Sequence, residues 1–203
     1  ASAVAFAGAA QAQTTLRVAN MGEPASLDPH FVSGVWENRI VGELFLGLTA
    51  EAADASIIPG AAEKWTISPD GKTYTFTIRD HKWSDGQPVT AGDFEFALKR
   101  ILSPDTPAKY ASLLYTIRNA EKYKKKESTD LGVRAIDAKT LEIQLENSAP
   151  FFLAQLTHYT AYPLPKHVVE KFGNDWIKPG NMVGNGPYVV TEWQANAQIK
   201  ATK

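Results

Sequence analysis

The side chains that could carry chemistry are few, and the sequence does not draw them together. The histidines are His30, His81, His158 and His167, and none shows the short ligand spacing of a metal site. His158 and His167, nine residues apart, are flanked by tyrosines and prolines. There is no cysteine, which excludes disulfides within this stretch, thiolate metal sites and cysteine nucleophiles. No G-x-S-x-G elbow and no H-E-x-x-H motif occurs. Gly184-Asn185-Gly186 looks like a phosphate loop until Pro187, which excludes that reading and the dinucleotide fingerprint. Carboxylates are plentiful, but none stands out as half of an acid–base pair. Recognition rather than bond making is the chemistry left, and the expectation is that the chain is not an enzyme.

The composition sets the frame for those residues. The chain has 203 residues, 44% hydrophobic and 21% charged, which is ordinary for a globular protein of one or two domains. A formal net charge of −1 gives no electrostatic reason to expect nucleic acid as a partner. Residues 1–12 are small, apolar and uncharged and close on Ala10-Gln11-Ala12. They read as the rear half of a secretory signal peptide with an A-x-A cleavage box, the alternative being an alanine-rich tail. No later stretch approaches the ~20 apolar residues that span a bilayer. No cysteine follows the small-residue box to carry a lipid anchor.

The elements alternate between helix and strand. Alternation of Leu16 and Val18 with polar neighbours predicts a strand over residues 15–19. Residues 23–29 are broken by two prolines. A helix is expected over 36–46, with Trp36, Ile40, Leu44 and Leu48 as its buried stripe. Residues 72–79 alternate Tyr74, Phe76 and Ile78 with Thr73, Thr75 and Thr77, the mark of a half-buried strand between turns at 68–71 and 83–86. Thr90-Ala91-Gly92-Asp93 is a capping-box pattern, opening a helix with Phe94, Ala97, Leu98 and Ile101 on one face. The lysine-rich run 122–126 reads as a solvated helix end or loop. Strands are expected over 131–135 and 140–146 around a turn at 137–139. Helices are expected from Pro150 toward Tyr159 and over 165–172, the latter closed by Gly173, and a strand over 188–190. The picture is mixed α/β with a mostly antiparallel sheet in the middle.

Four segments then resemble one family in order and spacing: Glu23-Pro24-Ala25-Ser26-Leu27-Asp28-Pro29; Ala62-Glu63-Lys64-Trp65 with Pro69-Asp70-Gly71-Lys72 and Tyr74-Thr75-Phe76; residues 82–94; and Gly184-Asn185-Gly186-Pro187-Tyr188. Together they resemble the peptide/nickel/dipeptide class of bacterial periplasmic solute-binding proteins that feed ABC importers. Residues 129–137 and Pro163-Leu164-Pro165-Lys166 resemble its oligopeptide-binding branch, which includes murein-tripeptide binders.

The resemblance implies a periplasmic-binding-protein-like fold of the type II, three-domain class. Residues 1–13 would be the signal remnant, 14–45 the start of the first domain, 46–168 an inserted second domain and 169–203 a return to the first. The third domain would lie beyond this sequence. The implied function is capture of oligopeptides in extended form, for delivery to a permease in the inner membrane by a monomeric periplasmic protein with no cofactor or metal. Two places match the family's ligand contacts. Ser33-Gly34-Val35-Trp36-Glu37 corresponds to an extended segment, just before the first long helix, that pairs with the peptide backbone. Relatives often carry an acidic residue at the Ser33 position and proline at the Trp36 position, so both depart from the pattern. Tyr110 corresponds to a tyrosine near the bound peptide. The candidate ligand-binding residues are therefore Ser33, Gly34, Val35, Trp36 and Tyr110. Other ligands remain open within the same fold: a dipeptide, murein peptide, nickel complex, haem, opine or sugar derivative. So does presentation of a ligand to a chemoreceptor.

Overall fold

The structure, a computed structural model, describes residues 14–203. The signal-remnant reading of residues 1–13 lies outside the described residues. Residues 14–34 run without regular structure into helix α1 (Val35–Leu44). A short hairpin of β1 (Thr49–Glu51) and β2 (Ile57–Pro59) follows. Then come β3 (Ala62–Ile67), β4 (Thr73–Ile78) and helix α2 (Ala91–Ile101). After the short helix α3 (Ala120–Lys124), strands β5 (Val133–Ala135) and β6 (Thr140–Gln144) complete a four-stranded sheet in the order β3-β4-β6-β5. Every pairing in it is antiparallel. Helices α4 (Phe152–Gln155) and α5 (Lys166–Phe172) lead to the hairpin of β7 (Val189–Gln194) and β8 (Gln198–Thr202).

The sheet and α2 follow from their local patterns. Along β4, Tyr74, Phe76 and Ile78 are buried and the threonines between them are half-buried. Residues Phe94, Ala97, Leu98 and Ile101 form the buried face of α2, which packs on β5 and β6. Oδ2 of Asp93 accepts the Thr90 N–H at 2.9 Å, an orphan donor at the helix start. At the other end Lys124 Nζ donates to the carbonyls of Ser103 (2.7 Å) and Thr106 (2.5 Å). The lysine run is thus not wholly a solvated end: one of its members ties α3 to the turn that follows α2.

Other expectations are corrected. Residues 15–19 form no strand, and Leu16 and Val18 are 86% and 52% exposed, because alternation makes a strand only where a partner strand pairs with it. The helix expected from Pro150 toward Tyr159 is cut to one turn, α4, with a separate 3-10 turn at Tyr159–Ala161. Of the stripe expected on α1, Leu44 and Leu48 are buried and Ile40 packs against the core, while Trp36 is exposed and Glu37 and Val41 complete the buried side.

One buried polar cluster ties distant segments together. The Asp28 carboxylate takes two hydrogen bonds from the Arg100 guanidinium, at 3.2 and 2.7 Å, and one from Trp176 Nε1 at 3.1 Å. The Nδ1 of His30 lies 2.8 Å from the same guanidinium, and burial holds the imidazole pKa down to about 3, so it is neutral and accepts. Gly184 and Gly186 sit on the end of α1, where a Cβ at Gly184 would collide with the Leu44 carbonyl oxygen. Between them Asn185 accepts from Leu46 N–H and donates to Leu46 C=O, both at 2.9 Å, as a strand neighbour would.

Candidate ligand-binding face

The entry to α1 is built around one carboxylate. Gly34 is the N-cap, extended at φ −115° and ψ 153°, and Glu37 sits at the third helical position. Its side chain turns back and accepts the N–H groups of Ala25 (2.8 Å), Ser33 (2.8 Å) and Gly34 (2.9 Å). Burial alone would raise the Glu37 pKa; the backbone donors of Ser33, Gly34 and Ala25 overcome it and hold the carboxyl below its ordinary value. The extended run expected over residues 33–37 is therefore shorter. The helix begins at Val35, and the N–H groups of Ser33 and Gly34 are spent on Glu37. What the segment can still offer a ligand is the Ser33 carbonyl and the N–H groups of Val35 and Trp36, which have no acceptor within the helix.

Two side chains from some 75 residues further along close on Ser33. The Tyr110 hydroxyl donates to the Ser33 carbonyl at 3.4 Å, and Lys109 Nζ donates to Ser33 Oγ at 3.1 Å. The Tyr110 ring, 39% exposed, stands edge-on to His158 and Tyr159, with centroids 6.3 and 6.4 Å away. Burial lowers the His158 pKa, so its ring is neutral near pH 7. Burial, then the neighbouring Tyr110 and Glu37, pushes the Tyr159 hydroxyl up to about 12. A wall of neutral aromatic side chains thus backs Tyr110. His158 gave no sign of this in the sequence; only its neighbour Tyr159 and the folded chain bring it to Tyr110.

Val35 is 70% exposed. The Trp36 indole folds back over Gly34 and Gly22; a Cβ on Gly34 would lie 2.6 Å from the ring. Trp36 is nonetheless about one-third exposed. All five candidate residues thus lie along one stretch of surface, with Ser33 as the point where the two chain segments touch. Two surface grooves of about 400 Å³ each include none of them. The first is lined by charges that neutralise one another, Arg118 with Asp130 and Lys99 with Glu95. Among the described residues no group of histidine and carboxylate side chains is placed to hold a metal ion, and no helix is long and apolar enough to cross a membrane.

Comparison with known proteins gives the geometry its context. The family model for bacterial extracellular solute-binding proteins, family 5 (middle), matches residues 56–203. The periplasmic oligopeptide-binding protein OppA of Escherichia coli K12 is 44% identical over 195 residues, covering 94% of this chain and 36% of that protein. The probable deoxycholate-binding periplasmic protein YgiS of the same organism is 40% identical over 196 residues, covering 94% of this chain and 37% of the relative. Among solved structures, Haemophilus influenzae OppA in complex with the peptide RPPGFSPFR superposes with a TM-score of 0.86 at 40% identity, over 89% of this chain and 36% of that one. The chain spans about a third of the length of the relatives it matches.

Proposed function

The chain belongs to the bacterial extracellular solute-binding proteins, family 5, and from that premise we propose that it supplies one jaw of a periplasmic protein that captures oligopeptides and delivers them to an inner-membrane ABC permease. Its fold is the mixed α/β, periplasmic-binding-protein-like fold of those relatives, with antiparallel sheets. In this reading residues 14–45 and 169–203 belong to one domain and 46–168 to a second inserted in it. The protein binds and does not catalyse, in keeping with relatives named for binding.

One observation carries the reading: Ser33 and the first turn of α1 meet Tyr110 on an exposed face. A binder that accepts many peptides needs main-chain partners for the ligand backbone and tolerant surfaces for its side chains. Ser33 C=O and the N–H groups of Val35 and Trp36 provide the first. Val35, Trp36 and Tyr110 provide the second, as flat or aliphatic surfaces that make few demands on a side chain.

The same apolar face favours a second reading, an apolar solute in place of a peptide, as the name of the deoxycholate-binding relative suggests for that protein. Mass spectrometry of small molecules released from the full-length protein separates the two. Recovery of a mixture of short peptides supports the first reading, and recovery of a sterol-like acid alone overturns it. Cleavage of a labelled peptide, abolished by a single substitution, would overturn both.

A further inference from the structure

On the proposed peptide-binding reading, we propose that Lys109 and Ser33 form a carboxylate subsite on this face, so that the protein ranks its ligands by charge. Lys109 Nζ donates to Ser33 Oγ at 3.1 Å. A serine hydroxyl that accepts a hydrogen bond still has its own hydrogen to give, and an ammonium has three donors. The pair therefore presents converging donors, which is what a carboxylate oxygen needs.

Among the described residues Lys109 makes no ion pair within 4.0 Å, whereas Lys99, Lys125, Lys139 and Lys178 each do. The carboxylate under the segment, Glu37, is buried and already takes three backbone N–H groups. The side chains behind Tyr110 are neutral at pH 7, since burial lowers the His158 pKa and raises that of Tyr159. One turn along α1 from Val35, Arg39 is also in no ion pair among the described residues; its guanidinium reaches only the Ala19 carbonyl, at 3.4 Å. The exposed charges named on the face, Lys109 and Arg39, are thus both positive, over the one buried carboxylate of Glu37. An acidic side chain or the carboxy-terminal group of a short peptide would both satisfy them.

The test is titration calorimetry of the full-length protein, wild type and Lys109→Met, with Ala-Ala-Ala, Ala-Glu-Ala, Ala-Lys-Ala and carboxy-amidated Ala-Ala-Ala. If an acidic side chain is recognised, wild type binds Ala-Glu-Ala about 3- to 10-fold tighter than Ala-Lys-Ala, the range for a partly screened ion pair, and Lys109→Met removes the ratio. If the terminus is recognised, amidation weakens wild type by a similar factor more than it weakens the variant. Amidated Ala-Ala-Ala, which lacks the carboxylate, binds both proteins alike and shows that the variant is folded. Lys109→Glu reverses whichever ranking the wild type shows. Ratios that are the same in wild type and Lys109→Met overturn the subsite alone. Failure of every peptide to bind wild type overturns the peptide reading and the subsite with it.

Discussion

The carboxylate of Glu37 holds the backbone N–H of Ser33 at 2.8 Å, four residues back along the chain. The bond belongs to a set of three that turns a proline-punctuated loop into a fixed entry to α1. Replacing Glu37 with Gln leaves one oxygen to accept and adds an amide that faces donors. Glu37→Gln is expected to lower stability by about 1–3 kcal/mol in urea unfolding, the cost of buried donors left unpaired.

The same contact predicts a pH dependence. Burial pushes the Glu37 pKa up, but the N–H groups of Ser33, Gly34 and Ala25 bring it below the ordinary 4.5 in the folded protein. A depressed carboxyl contributes stability that is present above 4.5 and is lost as pH falls through the folded value. Urea unfolding from pH 7 to pH 3 should show wild type losing more stability below pH 4.5 than Glu37→Gln does. Parallel curves would contradict this.

Asp28 and Arg100 are 72 residues apart and mostly buried, and the pair joins the N-terminal segment to α2. Asp28→Asn leaves a guanidinium without its counter-charge and is expected to cost about 3–5 kcal/mol. Arg100→Lys keeps the opposite charges but not the two-pronged contact, and should destabilise less than Asp28→Asn. Thermal unfolding of the three proteins checks the order.

Gly34 and Trp36 are coupled by contact, since the indole occupies the space a Cβ would need. Gly34→Ala is expected to cost about 1–3 kcal/mol, as overpacking does, and Trp36→Ala should relieve most of that cost in the double variant. Additive effects in the double-mutant cycle would show that the two do not touch.

How far these relationships could be read in advance depends on how local they are. Helix α2 was visible because Thr90, Asp93 and the stripe through Phe94, Ala97, Leu98 and Ile101 all lie within twelve residues. Strand β4 was visible in its own alternation. On α1 the stripe shows Leu44 and Leu48 but not the burial of Glu37, whose backbone donors lie as far back as Ala25. Residues 15–19 have the alternation of a strand without a partner to pair with among the described residues. Gly184-Asn185-Gly186 could be recognised as a family motif, but its fit against Leu44 and Leu46 needs a contact across some 140 residues. At the candidate site, resemblance points to the segment Ser33–Glu37 and to Tyr110, while the buried role of Glu37 and the places of Lys109 and His158 need the folded chain.

The central claim is that Ser33, the first turn of α1 and Tyr110 make one ligand-binding face. The dissociation constant of the full-length protein for Ala-Ala-Ala, measured for wild type and Tyr110→Ala, tests it most directly. Tyr110 is exposed, so its loss should leave the fold intact. Removing an aromatic contact at a binding site is expected to weaken affinity about 5- to 30-fold, with an unchanged unfolding midpoint. Equal dissociation constants for the two proteins would contradict the account.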